Sequence, residues 1–153
     1  MAINPILNIQ TSPDYHVFEF DSDGRQRLRK RVQFDLIDAS EHIYNLSLCT
    51  VLPDGNLDCK SDTKDGDMDR VLETTAHIGI LYINQFPERK VFLQGSDAKR
   101  SRKYQMGINR YLMELSKKYF IEGVAIANDI ITSREGIRAG KNYQAFIFSI
   151  LKK

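Results

Sequence analysis

From Arg27 to Ile37 the chain alternates residue by residue, with Leu28, Val32, Phe34 and Leu36 on one side and Arg27, Arg29, Arg31, Gln33 and Asp35 on the other. Successive side chains of a strand point to opposite faces, so this pattern predicts a strand with one buried and one wet face. Lys30 interrupts the apolar side near its start. Ile43 to Thr50 alternates again, with Tyr44, Leu46 and Leu48 inward, and Tyr15 to Asp21 reads as a preceding strand ending at the turn signal Asp21-Ser22-Asp23-Gly24. Three such segments in succession predict an antiparallel meander.

The middle of the chain changes period. Val71, Thr75, Ile78, Tyr82 and Phe86 recur at helical spacing, with Leu72, Gly79 and Leu81 widening the stripe, Asp65 or Asp67 as N-cap and Pro87 as the stop. Lys90 to Gln94 is a short buried strand. A second helix is expected from Asp97 to Lys118, with Tyr104, Ile108, Leu112, Leu115 and Tyr119 inward. Phe120 to Ala127 and Tyr143 to Leu151 read as two more strands, the last apolar on both faces and therefore central. Asp129 to Asn142, with Gly136 and Gly140, reads as a loop. The order βββαβαββ predicts one α+β domain over residues 15–153, with a largely antiparallel sheet and two helices packed on one face. Residues 1–14, which carry Pro5 and Pro13, read as a partly ordered arm.

At 153 residues the chain is long enough for a proper core. No apolar run approaches the roughly 20 residues of a membrane span, and the N-terminus lacks a signal-peptide pattern, so a cytoplasmic location is the default expectation, with no membrane partner. Cys49 and Cys59 flank the turn-like Val51-Leu52-Pro53-Asp54-Gly55-Asn56. A disulfide is possible if that turn is a hairpin, but two free thiols are expected without a secretory signal. No metal site and no cofactor are expected. Asp62 to Asp69 resembles a calcium loop only superficially, since aligning Gly66 with the invariant glycine puts Leu72 where the bidentate glutamate belongs; an acidic helix start explains it better.

Net charge of +2 conceals an asymmetry. Arg89 to Lys118 holds nine cations against Asp97 and Glu114, and Arg25 to Arg31 holds five cations and no acid, whereas Pro53 to Glu73 holds seven acids against three cations. The sharpest feature is Gly95-Ser96-Asp97 followed by Lys99, Arg100, Arg102 and Lys103. Helix starts are already positive and normally carry acids, so added cations there suggest a bound anion. Gly95 would allow close backbone approach, Ser96 would shape the turn, and Arg100, Arg102 and Lys103 would hold phosphate. A solvated basic helix with Ser96 as an ordinary N-cap is the more common explanation of such a run. Arg27, Arg29 and Arg31 form a second basic surface, spaced about 6.8 Å apart on one strand face. That is near the phosphate spacing of a nucleic-acid strand, although no aromatic residue accompanies them, and a solvated edge accounts for them as well. Arg134, Arg138 and Lys141 would add cations if their loop folds back toward Gly95. Glu73 and His77, four residues apart on a helix, suggest a base and its orienter, but no nucleophile can be tied to His16, His42 or His77.

Tyr44-Asn45-Leu46, Gly66-Asp67-Met68-Asp69-Arg70-Val71-Leu72, Gly95-Ser96 with Arg100, Arg102, Tyr104, Met106 and Ile108, and Gly140-Lys141-Asn142-Tyr143-Gln144-Ala145-Phe146 together resemble a family of small bacterial proteins of unknown function, frequent in the Bacteroidetes group. The resemblance spans about residues 15–152 and implies a bacterial, single-domain, intracellular protein in which the Gly95 and Gly140 turns are family features. It carries over no catalytic or binding residue. The expectation is a domain that binds an anionic partner, nucleic acid or a phosphorylated ligand. The alternatives are an interaction or self-associating module meeting an acidic protein, and, last, a small nuclease or phosphate-processing enzyme.

Overall fold

A computed structural model describes residues 8–60 and 67–151. In chain order it contains β1 (Gln10–Thr11), β2 (Val17–Asp23), β3 (Arg27–Asp38), β4 (Ile43–Val51), β5 (Leu57–Asp58), α1 (Met68–Gln85), β6 (Lys90–Gln94), α2 (Ala98–Arg110), α3 (Leu112–Leu115), β7 (Tyr119–Ala127), β8 (Ile130–Gly136) and β9 (Ala145–Ile150). All the strands join one open, largely antiparallel sheet in the order β1-β2-β3-β4-β6-β9-β7-β8, with β5 paired to β4. Among the described residues only β4 and β6 run parallel, and α1 lies on the crossover between them. The architecture is α+β, as the element order implies. Much of the calcium-loop-like stretch, through Gly66, lies outside the described residues, as does Asp65.

The alternation of β3 sets the two faces. Val32 and Phe34 meet Leu48 and Leu46 of β4 and, with Phe18 and Phe20 of β2, build the main core under the helices. Tyr82 of α1 stacks on Phe34 with ring centroids 3.8 Å apart. Lys30 sits on this apolar face as its sequence position requires; it is buried, and its Nζ donates to Thr50 Oγ1 at 2.7 Å. The C-terminal end of α1 is pinned by a cluster invisible in the pattern. Arg89 lies over the rings of Tyr44 and Phe86, 4.4 and 4.0 Å from their centroids, and donates to the Tyr82 hydroxyl, which in turn lies 3.2 Å from His16 Nε2.

Four expectations are corrected. Residues 130–136, read as loop, form the edge strand β8, whose mostly exposed residues lack a buried alternating face to announce it. The long second helix stops at Arg110 and resumes as the single turn α3, turning Leu112 and Leu115 onto the core. The last strand starts at Ala145, because Tyr143 N donates to Gln105 Oε1 of α2 rather than into the sheet. Cys49 and Cys59 are joined in a disulfide. The β4–β5 register, Val51 opposite Leu57 and Thr50 opposite Asp58, brings Cys49 opposite Cys59 one step further on.

The face away from the helices is not entirely wet. Ile43, Phe92, Val124, Ala145 and Ile147 form a second buried cluster there. Arg134 lies opposite Val124, Glu122 opposite Ile147 and Lys90 opposite Ile43, so charged groups share that face. Arg134 binds both oxygens of Glu122, at 3.1 and 2.9 Å, and reaches Glu41 at 2.7 Å, while Lys90 reaches Glu41 at 3.3 Å. Three strands separate β4 from β8, so on a flat sheet these groups would start about 19 Å apart. The ion pair therefore requires the sheet to curl around its second cluster.

Candidate functional site

The chain leaves β6 at Gln94 and turns at once into α2. The N-cap is Asp97, whose Oδ1 accepts from Arg100 N at 2.8 Å, so the helix start already has its carboxylate. Ser96 takes another part: its Oγ accepts from Arg100 Nη1 at 2.8 Å. Ser101 Oγ in turn accepts from Gly95 N at 3.0 Å. A Cβ on Gly95 would stand 2.3 Å from Ser101 N and 2.7 Å from Arg100 Cβ, so the glycine is needed for the packing of the turn against its own helix. Gly95, Ser96 and Arg100 thus lock the turn internally, and Arg100 is buried. Arg102 stands exposed, and Lys103 reaches across to Asp69 of α1 at 2.7 Å.

The β3 arginines meet a ladder of acids on β2. Arg27 pairs with Asp21 at 2.7 Å, Arg29 with Glu19 at 3.0 Å and Asp21 at 3.3 Å, and Arg31 with Glu19 at 2.7 Å. A hydrogen bond from Arg27 lowers the Asp21 carboxyl below its ordinary range. Burial pushes Glu19 up, but its bonds to Arg31 and Arg29 outweigh that and leave it lowered too.

The Gly140 turn does come close to the Gly95 turn, since Ala145 pairs with Gln94 and the Gln105 side chain of α2 bonds Lys141 O and Tyr143 N. Its cations serve the turn itself. Lys141 and Arg138 both hold Glu135, at 2.6 and 2.8 Å, and the Tyr143 hydroxyl donates to the same carboxylate at 3.1 Å. Gly140 takes a φ of 81°, the left-handed geometry expected of it. The Tyr143 ring lies so close over Gly123 that a Cβ there would come within 2.4 Å of it. Glu73 faces Arg110 at 3.6 Å, and burial lowers the pKa of His77.

What periodicity did not reveal is a groove of about 200 Å³ between α1 and α2. Its floor is the sheet, through Leu46, Val91, Leu93 and Phe148. Leu72, Ala76, Gly79 and Ile80 form the α1 wall, and Tyr104, Gly107 and Ile108 the α2 wall. Two ion pairs, Asp69–Lys103 and Glu73–Arg110, bridge the helices at its charged border. Small residues, Ala76, Gly79 and Gly107, are among those that line the groove. Gly79 is tight, with Leu46 Cδ1 3.3 Å from where its Cβ would be, but a Cβ on Gly107 would meet nothing within 4 Å. The clue available in the sequence was a glycine in a helix interior, which costs about 1 kcal/mol relative to alanine.

Among the described residues no group of His, Cys, Asp and Glu is arranged to hold a metal ion, and no helix is long and apolar enough to cross a membrane. Fold and site together define an α+β domain that carries a ligand-sized groove between two helices over an open sheet. The chain belongs to DUF6934, a family of unknown function, whose model matches residues 4–151. No curated protein and no solved structure matches it.

Proposed function

We propose that the protein is a binding domain that takes an anionic ligand on α2, with Lys103 and Arg110 as its contacts and Arg102 beside them. The observation that carries this reading is that Lys103 and Arg110 are each met by a single α1 carboxylate across the groove. α2 holds five cations and no acid. Asp69, which answers Lys103, is 80% exposed, and Glu73 stands 3.6 Å from Arg110. Because the Asp69 end of its pair stands in water, that pair contributes about 0–1 kcal/mol, and a ligand anion displaces Asp69 at little cost. The β3 arginines, each against a β2 acid, support a phosphate track less well, and the reading therefore favours a small ligand over nucleic acid.

A second reading rests on Met106 and Met113, 55% and 86% exposed among these cations. Flexible methionines beside cations suit an acidic amphipathic segment of another protein.

The test is a titration of ¹⁵N-labelled protein with inorganic phosphate and, separately, with a short single-stranded DNA. Saturable shifts centred on residues 102–110, weakened by salt and absent in K103A/R110A, are the expected result. Shifts confined to residues 27–31, or none at low salt, would overturn it. Shifts on Met106 and Met113 with an acidic peptide alone would favour the second reading.

A further inference from the structure

We infer that the ligand of this site is an amphipathic carboxylate, an acyl or aryl acid whose apolar body lies between α1 and α2 and whose acid group sits at Lys103 and Arg110. The inference rests on the anion-binding reading above and adds the chemistry of the rest of the molecule.

Size argues first. A dry cavity of about 150 Å³ suffices to take up benzene, so the groove of about 200 Å³ suits a body of roughly six to eight carbons. Polarity agrees, because floor and walls are aliphatic or aromatic and the charges stand at the border, as in sites that fix a ligand's orientation by a few polar groups. Gly107 lines the groove. Nothing in the packing requires a glycine there, since a Cβ would meet no atom within 4 Å, and the backbone needs no left-handed geometry at that position. A larger side chain there would add bulk at the α2 wall of the groove.

The head group follows from what now holds the cations. Lys103 and Arg110 are each paired with a side-chain carboxylate from α1, and a ligand carboxylate presents the same atoms in the same geometry. Exchange of Asp69 for the ligand frees a carboxylate that is already mostly in water, so little solvation is lost.

Octanoate, octanol and inorganic phosphate, each titrated into the full chain by calorimetry, separate the parts of this inference. Octanoate is expected to bind at least about tenfold more tightly than octanol or phosphate, about the effect of one good charge-assisted contact. Gly107→Leu is expected to abolish octanoate binding and leave phosphate binding unchanged. Nuclear Overhauser contacts from the octanoate chain to the methyls of Leu72 and Ile80, read on the wild-type protein, give the same answer without a variant. Phosphate binding with no gain for octanoate, or octanoate binding indifferent to Gly107→Leu and without those contacts, overturns the inference and leaves the anion reading standing. Equal affinity for octanol and octanoate with no phosphate binding overturns both, as does no binding of any of the three.

Discussion

Two glycines, one just before α2 and one in its last turn, show how differently one residue type can be used. Gly95 is dictated by contact, since its missing Cβ is where Ser101 N and Arg100 already are. Gly95→Ala is expected to cost roughly 2–3 kcal/mol in denaturant unfolding, because backbone has to move. Gly107→Ala meets open space and gains helix propensity, so a stabilisation of about 0.5–1 kcal/mol is expected in the same assay. A loss at Gly107 equal to that at Gly95 would show that the groove is not open where the ligand body is placed. Glu135 is the residue that holds the Gly140 turn, and hydrogen bonds from Lys141 and then Arg138 bring its pKa down to about 2. A carboxyl lowered on folding stabilises above its unfolded value and loses that contribution as the pH falls through the folded one. The Glu135 clasp is therefore present above about pH 4.5 and lost between there and about pH 2. Carboxyl ¹³C titration should place the midpoint near 2, whereas a midpoint at the ordinary 4.5 would mean that the clasp is not formed in solution.

Among the elements, those legible in the sequence carry strong local signals. Lys90–Gln94 is found with the bounds its sequence suggests, a short buried run between Pro87 and Gly95. The stripe of α1 and the alternation of β3 are likewise found with most of the expected faces buried, except that Leu81 and Leu36 stand exposed. What was missed depends on pairing. β1 and β5 are two residues each, too short for any period to show. β8 is an edge strand whose one buried purpose, carrying Arg134 to Glu41 and Glu122, depends on a curl that no local pattern encodes. The candidate turn was legible as a turn but not as a closed one, since Ser96 with Arg100 and Ser101 with Gly95 are contacts within the fold. The groove was illegible because it arises between two helices. The disulfide is the element-scale prediction. It closes a ten-residue separation across a strand pair that spans only two residue pairs, so reduction should cost about 2–3 kcal/mol and expose the β5 amides to hydrogen exchange. Unchanged exchange at Leu57 and Asp58 after reduction would show that the strand pair holds without it.

Over the whole molecule, the basic regions of the sequence fall into two kinds. Those on β3 and the Gly140 turn are answered by acids that the fold brings to them from β2 and from Glu135. On α2, Lys103 and Arg110 are answered across a groove by Asp69 and Glu73, and the same helix walls the apolar space. Net charge of +2 says nothing of this, because the distribution appears only when strands and helices are placed. On the proposed function the α2 cations, and not those of β3, are the ones available to an anion. The most direct test is the octanoate affinity of K103Q/R110Q measured beside that of R27Q/R31Q. A loss of at least about tenfold is expected in the first and an unchanged affinity in the second. Equal losses, or a loss only in the β3 variant, would contradict it.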